Sequence, residues 1–197
     1  MEIPEPLLSF IFTLFIVALF CLLIGLSLWR YRIIGRLMRQ QVLKRGGSVV
    51  GSFLLPVLKF TYHDAPIVVT SVPGTKYRHA KTEVSITMPK PAPCDLKIFT
   101  ESITTRLGKA LGEADVLLGN DEFDREFLIQ TQNETTARTI LTFTLQHRLL
   151  EMRQEKPRII LEGTWLTIAV PRVVKTEEGY DRLFDLSFAV VDRILDL

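Results

Sequence analysis

Apolar and polar positions divide the chain into three regimes. The first is almost unbroken apolar: 16 of the 23 residues over 7–29 are Leu, Ile, Val or Phe, and none from Pro6 to Trp29 is charged. As a helix this stretch covers roughly 34 Å, enough for a hydrocarbon core of about 30 Å with some tilt. Trp29 stands at its end, where an indole favours the headgroup region. The second regime, 30–45, keeps a helical period. Ile34, Met38 and Val42 recur at four-residue steps beside Ile33 and Leu37, with bases on much of the remaining surface, and Gly46-Gly47 supplies a helix stop and a flexible joint. The third regime begins at Gly47 and changes the period to two.

Leu58, Phe60 and Tyr62 alternate with Lys59 and Thr61, a turn at His63-Asp64-Ala65-Pro66 follows, and 67–70 return as the second strand of a hairpin. Val84, Ile86 and Met88 alternate again, Pro89, Pro91 and Pro93 interrupt, and Leu96 and Ile98 start a short strand. Residues 101–119 read either as a short helix around 106–112 or as an ordered loop. Residues 127–131 form a strand. Beyond Asn133, a predicted cap, Ala137, Leu141, Leu145, Leu149 and Met152 recur at helical spacing, and Thr142 is placed to cap a second segment after a kink near Leu141. Strands at 159–161 and 165–170 are joined by a tight turn at Glu162-Gly163-Thr164. Thr176 caps a last helix whose stripe is Tyr180, Leu183, Phe184, Phe188, Val191, Ile194 and Leu195, with Asp181, Asp185, Asp192 and Asp196 expected to face water.

The expected fold class is therefore α+β: a single N-terminal transmembrane helix, then an antiparallel β-sheet domain with two helices packed on one face. The expected organisation is an extracytoplasmic N-terminus (1–6), a transmembrane helix (7–29), a basic juxtamembrane helix (30–46) and a cytoplasmic domain (47–197). About 150 residues bury a sizeable core, so no metal or disulfide is required to hold it.

Composition sharpens one point. Mean hydropathy is +0.22 although 23% of residues are charged, so the apolar excess is concentrated, and it lies in 7–29. A cleaved signal peptide fits poorly, because the first six residues carry Glu2 and Glu5 with no base, the apolar run is long, and Arg30-Tyr31-Arg32 follows it. Charge then orients the span. Residues 1–29 hold two acids and no base, 30–45 hold Arg30, Arg32, Arg36, Arg39, Lys44 and Arg45 with no acid, and 46–197 hold 18 bases against 20 acids. Bases flanking a span are retained on the cytoplasmic side. These six residues are the candidate membrane-interface set, either fixing topology or meeting anionic lipid, and a competing reading packs the apolar residues of 30–45 on the chain's own domain. The expected place is a bacterial inner membrane, single-pass, N-terminus outside and domain in the cytoplasm. The pI near 8.6 does not indicate nucleic acid, since the domain itself is slightly acidic.

Positive signs of catalysis are absent from the sequence. Cys21 lies in the apolar run and Cys94 in a Pro-rich loop, with neither His63 nor His79 near it in sequence. The acidic run 120–126 lacks the Gly and Glu spacing of a calcium loop and reads as a turn before a strand, with Phe123 and Phe127 as core anchors. His147 is a boundary contact. No phosphate loop, zinc pattern or nucleophile elbow occurs. No cofactor or metal is expected. Cys21 and Gly25, four apart, would let two spans approach, making a second copy or another membrane protein a candidate partner beside the lipid bilayer.

The run from Gly119 through Asp121, Phe123-Asp124 and Phe127 to the strand, then Ala137-Arg138, Leu141-Thr142 and Leu149-Leu150, resembles a group of uncharacterised bacterial proteins, a domain of unknown function, many with membrane spans. Phe143 stands where that group often has Pro. The resemblance covers about 100–197 and the earlier strands loosely. It implies an architecture and no activity. The expected function is thus a membrane-anchored, non-enzymatic protein whose cytoplasmic domain serves protein interaction or assembly. The alternatives are a membrane-bound hydrolase with a site built from distant residues, or an accessory subunit of a transporter or secretion complex.

Overall fold

The computed structural model describes residues 5–52, 54–74, 79–100 and 116–197, with side chains from residue 12 onward except those of 26, 27 and 30. Residues 1–4 of the expected extracytoplasmic tail, and 101–115 of the stretch read as helix or loop, lie outside the described residues.

One helix, α1 (Glu5–Arg45), joins the apolar and basic regimes without a break. Its described apolar side chains run unbroken only over 12–25, about 21 Å of helix, and no helix among the described residues is long and apolar enough to cross a membrane. The crossing helix expected over 7–29 is not supported by those residues alone. The α+β class is shown: the strands form one antiparallel eight-stranded sheet in the order β1-β2-β3-β4-β8-β7-β5-β6. These are β1 (Ser48–Ser52), β2 (Leu55–Tyr62), β3 (Ala65–Val72), β4 (Lys81–Thr87), β5 (Leu96–Thr100), β6 (Phe127–Thr131), β7 (Arg158–Glu162) and β8 (Trp165–Val170). Among the described residues four α-helices follow within the domain: α2 (Asp121–Glu126), α3 (Glu134–Ile140), α4 (Phe143–Glu151) and α5 (Glu177–Leu195).

The period-two pattern and the pairing register place one row of apolar residues across the sheet. Leu58, Val69, Val84, Ile168, Ile159, Ile98 and Ile129 are successive cross-strand partners, all but solvent-free. Phe60, Ile67, Ile86, Leu166, Leu161 and Leu96 form a parallel row one pleat away. Thr, Ser, Lys and Glu recur on the other face beside Val68, Phe99, Ile160 and the buried Leu128. The expected hairpin turn is tighter than the sequence implied. It has two residues, His63 and Asp64, both at positive φ (47° and 63°), the backbone of a type I′ turn.

The cover differs from the expected two helices. α5 crosses the sheet, α3 and α4 close the β5–β7 end around Ile140, Leu145 and Val190, and the C-terminal half of α1 packs on β1 and β2. α3 and α4 are the single periodic stretch 134–152 broken at Leu141-Thr142, the kink expected there, and Phe143 in place of Pro does not prevent it. Asn133 caps α3 by accepting from Thr136 N–H at 3.1 Å, whereas Thr142 makes no side-chain cap bond. The run 120–126, expected to be a turn, is the short helix α2. The joint after α1 is likewise close-packed. Gly47 sits at φ 91°, and a Cβ there would lie 2.1 Å from the Lys59 carbonyl oxygen, so no larger residue fits without moving β2.

Candidate functional site: the junction of the long helix with the sheet

The apolar positions of 30–45 pack on the chain's own domain. Ile34 and Met38 are buried, and Leu37 and Val42 pack against the core. One turn past Met38 the buried Gln41 donates to Asp181 Oδ1 of α5 at 3.3 Å, and Lys44 Nζ sits 2.9 Å from Asp181 Oδ2 and 2.5 Å from Glu177. Arg45 is 3.0 Å from Asp181 Oδ1, donates to Gln41 Oε1 at 2.5 Å, and lies 4.9 Å over the Phe184 ring. Asp181 therefore does not face water as expected; it is the hub that ties α1 to α5. Asp192 keeps about half of its side chain in water while accepting from Tyr62 Oη at 3.1 Å, with His63 Nε2 3.5 Å away. Beneath these polar contacts Phe60, Phe184 and Phe188 meet edge-on and stacked, and Tyr62 stacks on Phe188 at 4.1 Å. Such aromatic pairs contribute about 0.5–1.5 kcal/mol each beyond their buried area.

The electrostatics of this collar set its working range. Partial burial pushes the Asp181 carboxyl up, but Lys44, Gln41 and Arg45 together outweigh it and hold the group below its ordinary 3.8. Bonds to Glu177 and Asp181 raise the Lys44 ammonium above 10.5. A depressed carboxylate contributes stability that is complete above its unfolded value and lost as pH falls through the folded one; a raised ammonium contributes stability that is lost only as pH climbs through its folded value. Docking of α1 is expected to hold at neutral pH and to weaken below about pH 4. Asp181→Asn should cost about 1 kcal/mol at pH 7 and remove most of that acid limb. Hydrogen exchange of 34–45 against pH reads both, and an unchanged acid limb in the variant would remove Asp181 from this role.

A second polar network lies deeper. Tyr180 Oη is 2.8 Å from Ser71 Oγ, which is 3.0 Å from Thr82 Oγ1. Thr82 in turn donates to the Arg172 carbonyl and accepts from Val174 N–H. Burial, partly relieved by Ser71, pushes the phenol up to about 12, so Tyr180 is a neutral structural group.

The residues behind the resemblance converge on one loop. Asn120 caps α2 by accepting from Phe123 N–H at 3.3 Å and donates to Gln146 Oε1 at 2.8 Å. Asp124 accepts from Leu118 and Gly119 N–H at 3.0 and 2.9 Å, Gly119 taking φ 83°. Arg138 donates to the carbonyls of Leu117 and Leu118 and pairs with Glu134, while Phe123 and Phe127 stack at 4.8 Å. This is a clasp that closes the α2 turn onto α3. Asp124 is thus committed to backbone, and Glu122 to Arg153, 2.6 Å away. Cys94 is half-buried, and burial holds its thiol above the ordinary value, the reverse of an activated nucleophile. His147 lies 3.4 Å from Glu151 on the exposed face of α4. Among the described residues no group of three His, Cys, Asp or Glu is placed to hold a metal.

The six bases separate into two groups. Lys44 and Arg45 belong to the collar. Arg32, Arg36 and Arg39 lie on exposed parts of α1, and the Arg30 side chain lies outside the described residues. Arg32 and Arg39, with Tyr31 and Gly35 between and beside them, form one wall of an open groove of about 660 Å³ whose other wall includes Val50 and Ser52 of β1. Counting 100° per residue, the two arginines face about 130° around the helix from Ile34 and Met38. Sequence periodicity marked the bases but not this division, which depends on contacts 137 to 140 residues apart.

No curated protein matches the chain in sequence. Among solved structures, the crystal structure of the mycobacterial trehalose monomycolate transport factor A, TtfA, shares the fold, with a TM-score of 0.52 over 81% of this chain and 93% of that one at 13% identity. The clasp, the sheet from β4 onward and most of α5 fall within residues 77–187, and over that span the chain matches, and belongs to, the family described as protein of unknown function (DUF3137).

Proposed function

We propose that the chain is a membrane-anchored, non-enzymatic assembly module, with the apolar part of α1 embedded in a bacterial inner membrane and the α+β domain held at its cytoplasmic surface. One observation carries this reading. Every described side chain over 12–25 is exposed, on all sides of the helix, including Phe12, Leu14, Phe15, Phe20, Leu22 and Leu23 at 57–65%. A helix apolar all round is stable where hydrocarbon surrounds it. The collar supports the module reading, because it fixes the domain rigidly to the emerging helix instead of leaving it on a loose tether.

Within that reading the chain serves as an accessory factor of a membrane transport assembly. The support is the fold it shares with a transport factor. The test uses the full chain in a bacterial host. It should resist carbonate extraction, and a C-terminal tag should be digested only after the inner membrane is opened. Release into the carbonate supernatant, or digestion on intact spheroplasts, overturns the anchor and the topology. Crosslinking before solubilisation should recover a polytopic membrane protein with the chain; recovery of none overturns the assembly role.

A further inference from the structure

The groove beside α1 has chemistry that the collar does not use. β1 runs antiparallel to the end of α1, so its five residues, at about 3.3 Å each, return some 16 Å along the helix, roughly the rise of eleven helical residues. The β1–β2 turn therefore comes back to the level of Gly35 and Tyr31, a turn or two beyond Trp29, and Ser52 and Pro56 share the groove with Tyr31 and Arg32. At this turn Leu54 and Leu55 are 46% and 54% exposed. Leucines at a hairpin tip are out of place in water and well placed at an acyl boundary. Gly35 deepens the helix wall. The Arg39 guanidinium folds over it, its nitrogens 3.7 and 3.8 Å from where a Cβ would stand, so that Arg32 and Arg39, two turns apart, present planar cations to one opening.

We propose that this groove binds an anionic phospholipid of the inner leaflet, its phosphate on Arg32 and Arg39 and its acyl chains directed back toward Trp29 and the bilayer, with the Leu54–Leu55 turn dipping into the headgroup region. The inference rests on the membrane anchoring proposed above and adds a ligand class and a second membrane contact to it. Charge complementarity and the calculated level of the turn point to the same occupant. The Arg pair supplies bidentate donors suited to phosphate, and bases at a membrane surface each contribute roughly a factor of five toward anionic lipid.

The experiment takes the full chain into nanodiscs of phosphatidylcholine with or without phosphatidylglycerol, then counts lipids retained after transfer to detergent by native mass spectrometry. The wild-type chain should retain phosphatidylglycerol over phosphatidylcholine. Arg32→Gln with Arg39→Gln should lower that retention about tenfold or more. Leu54→Ser with Leu55→Ser should lower retention of both lipids while the chain stays in the membrane on carbonate extraction. Millimolar inorganic phosphate should not displace the lipid. Equal retention of the two lipids, no loss in the arginine variant, or complete displacement by free phosphate overturns the proposal. A chain that passes carbonate extraction yet shows no lipid preference overturns the groove alone, whereas one that fails extraction overturns the anchor.

Discussion

Phe184→Ala should lower the stability of the domain by about 3–5 kcal/mol, the cost of deleting a fully buried aromatic ring whose site collapses only in part. Phe184 is where three elements meet: β2 through Phe60 at 5.3 Å, α5 through Tyr180 and Phe188, and α1 through the Arg45 guanidinium. The loss should therefore appear both as a lower thermal midpoint of the detergent-solubilised full chain and as faster exchange of amides over 34–45. A variant that unfolds at the wild-type temperature would mean that the ring stack is not central to the core. Phe184→Leu keeps most of the volume and should recover more than half of the stability, which separates cavity formation from the loss of the cation–ring contact.

Met38→Asp should have an effect of similar size but a different character. Met38 is fully buried between α1 and the sheet, so the change removes about 2–5 kcal/mol of apolar packing and adds the cost of an unpaired carboxylate in the same place. The domain has a way to avoid that cost, because among the described residues α1 packs mainly on β1, β2 and α5. The helix should undock while β3–β8 stay folded. The expected signature is loss of exchange protection confined to α1, β1 and the β2 edge, with near-native far-ultraviolet dichroism. Uniform loss of protection across the sheet would instead make α1 an integral part of one cooperative core. Unchanged protection would place Met38 at a surface.

Much of the fold is local enough to read from residues close in sequence. Phe127–Thr131 is the strand expected, Glu162-Gly163-Thr164 turns where Gly163 takes φ 57°, and Asn133 and Thr176 cap their helices with side-chain bonds to the third residue on. The short helix α2 was less legible. Its signal, Asn120 followed by acids in the first turn, is the same composition that marks an acidic loop, and six residues give a period too little length to register. What the pattern could not reveal is partnership. Periodicity says that Asp181 sits on the polar side of α5, and it does; only the fold brings Lys44 and Arg45 to it and makes that polar side an interface. The same holds for Arg32 and Arg39, whose spacing matches a topology signal and whose groove exists because β1 returns alongside them.

The strand order has a consequence for synthesis. Thr87 at the end of β4 pairs with Trp165 at the start of β8, so a ribosome adds 78 residues between one partner and the other. At 5–20 residues per second the meander β1–β4 waits about 4–16 s with one flank unzipped. Until β8 emerges that flank is an open strand edge available for wrong pairing, and a product truncated before residue 170 lacks part of the strand that closes it.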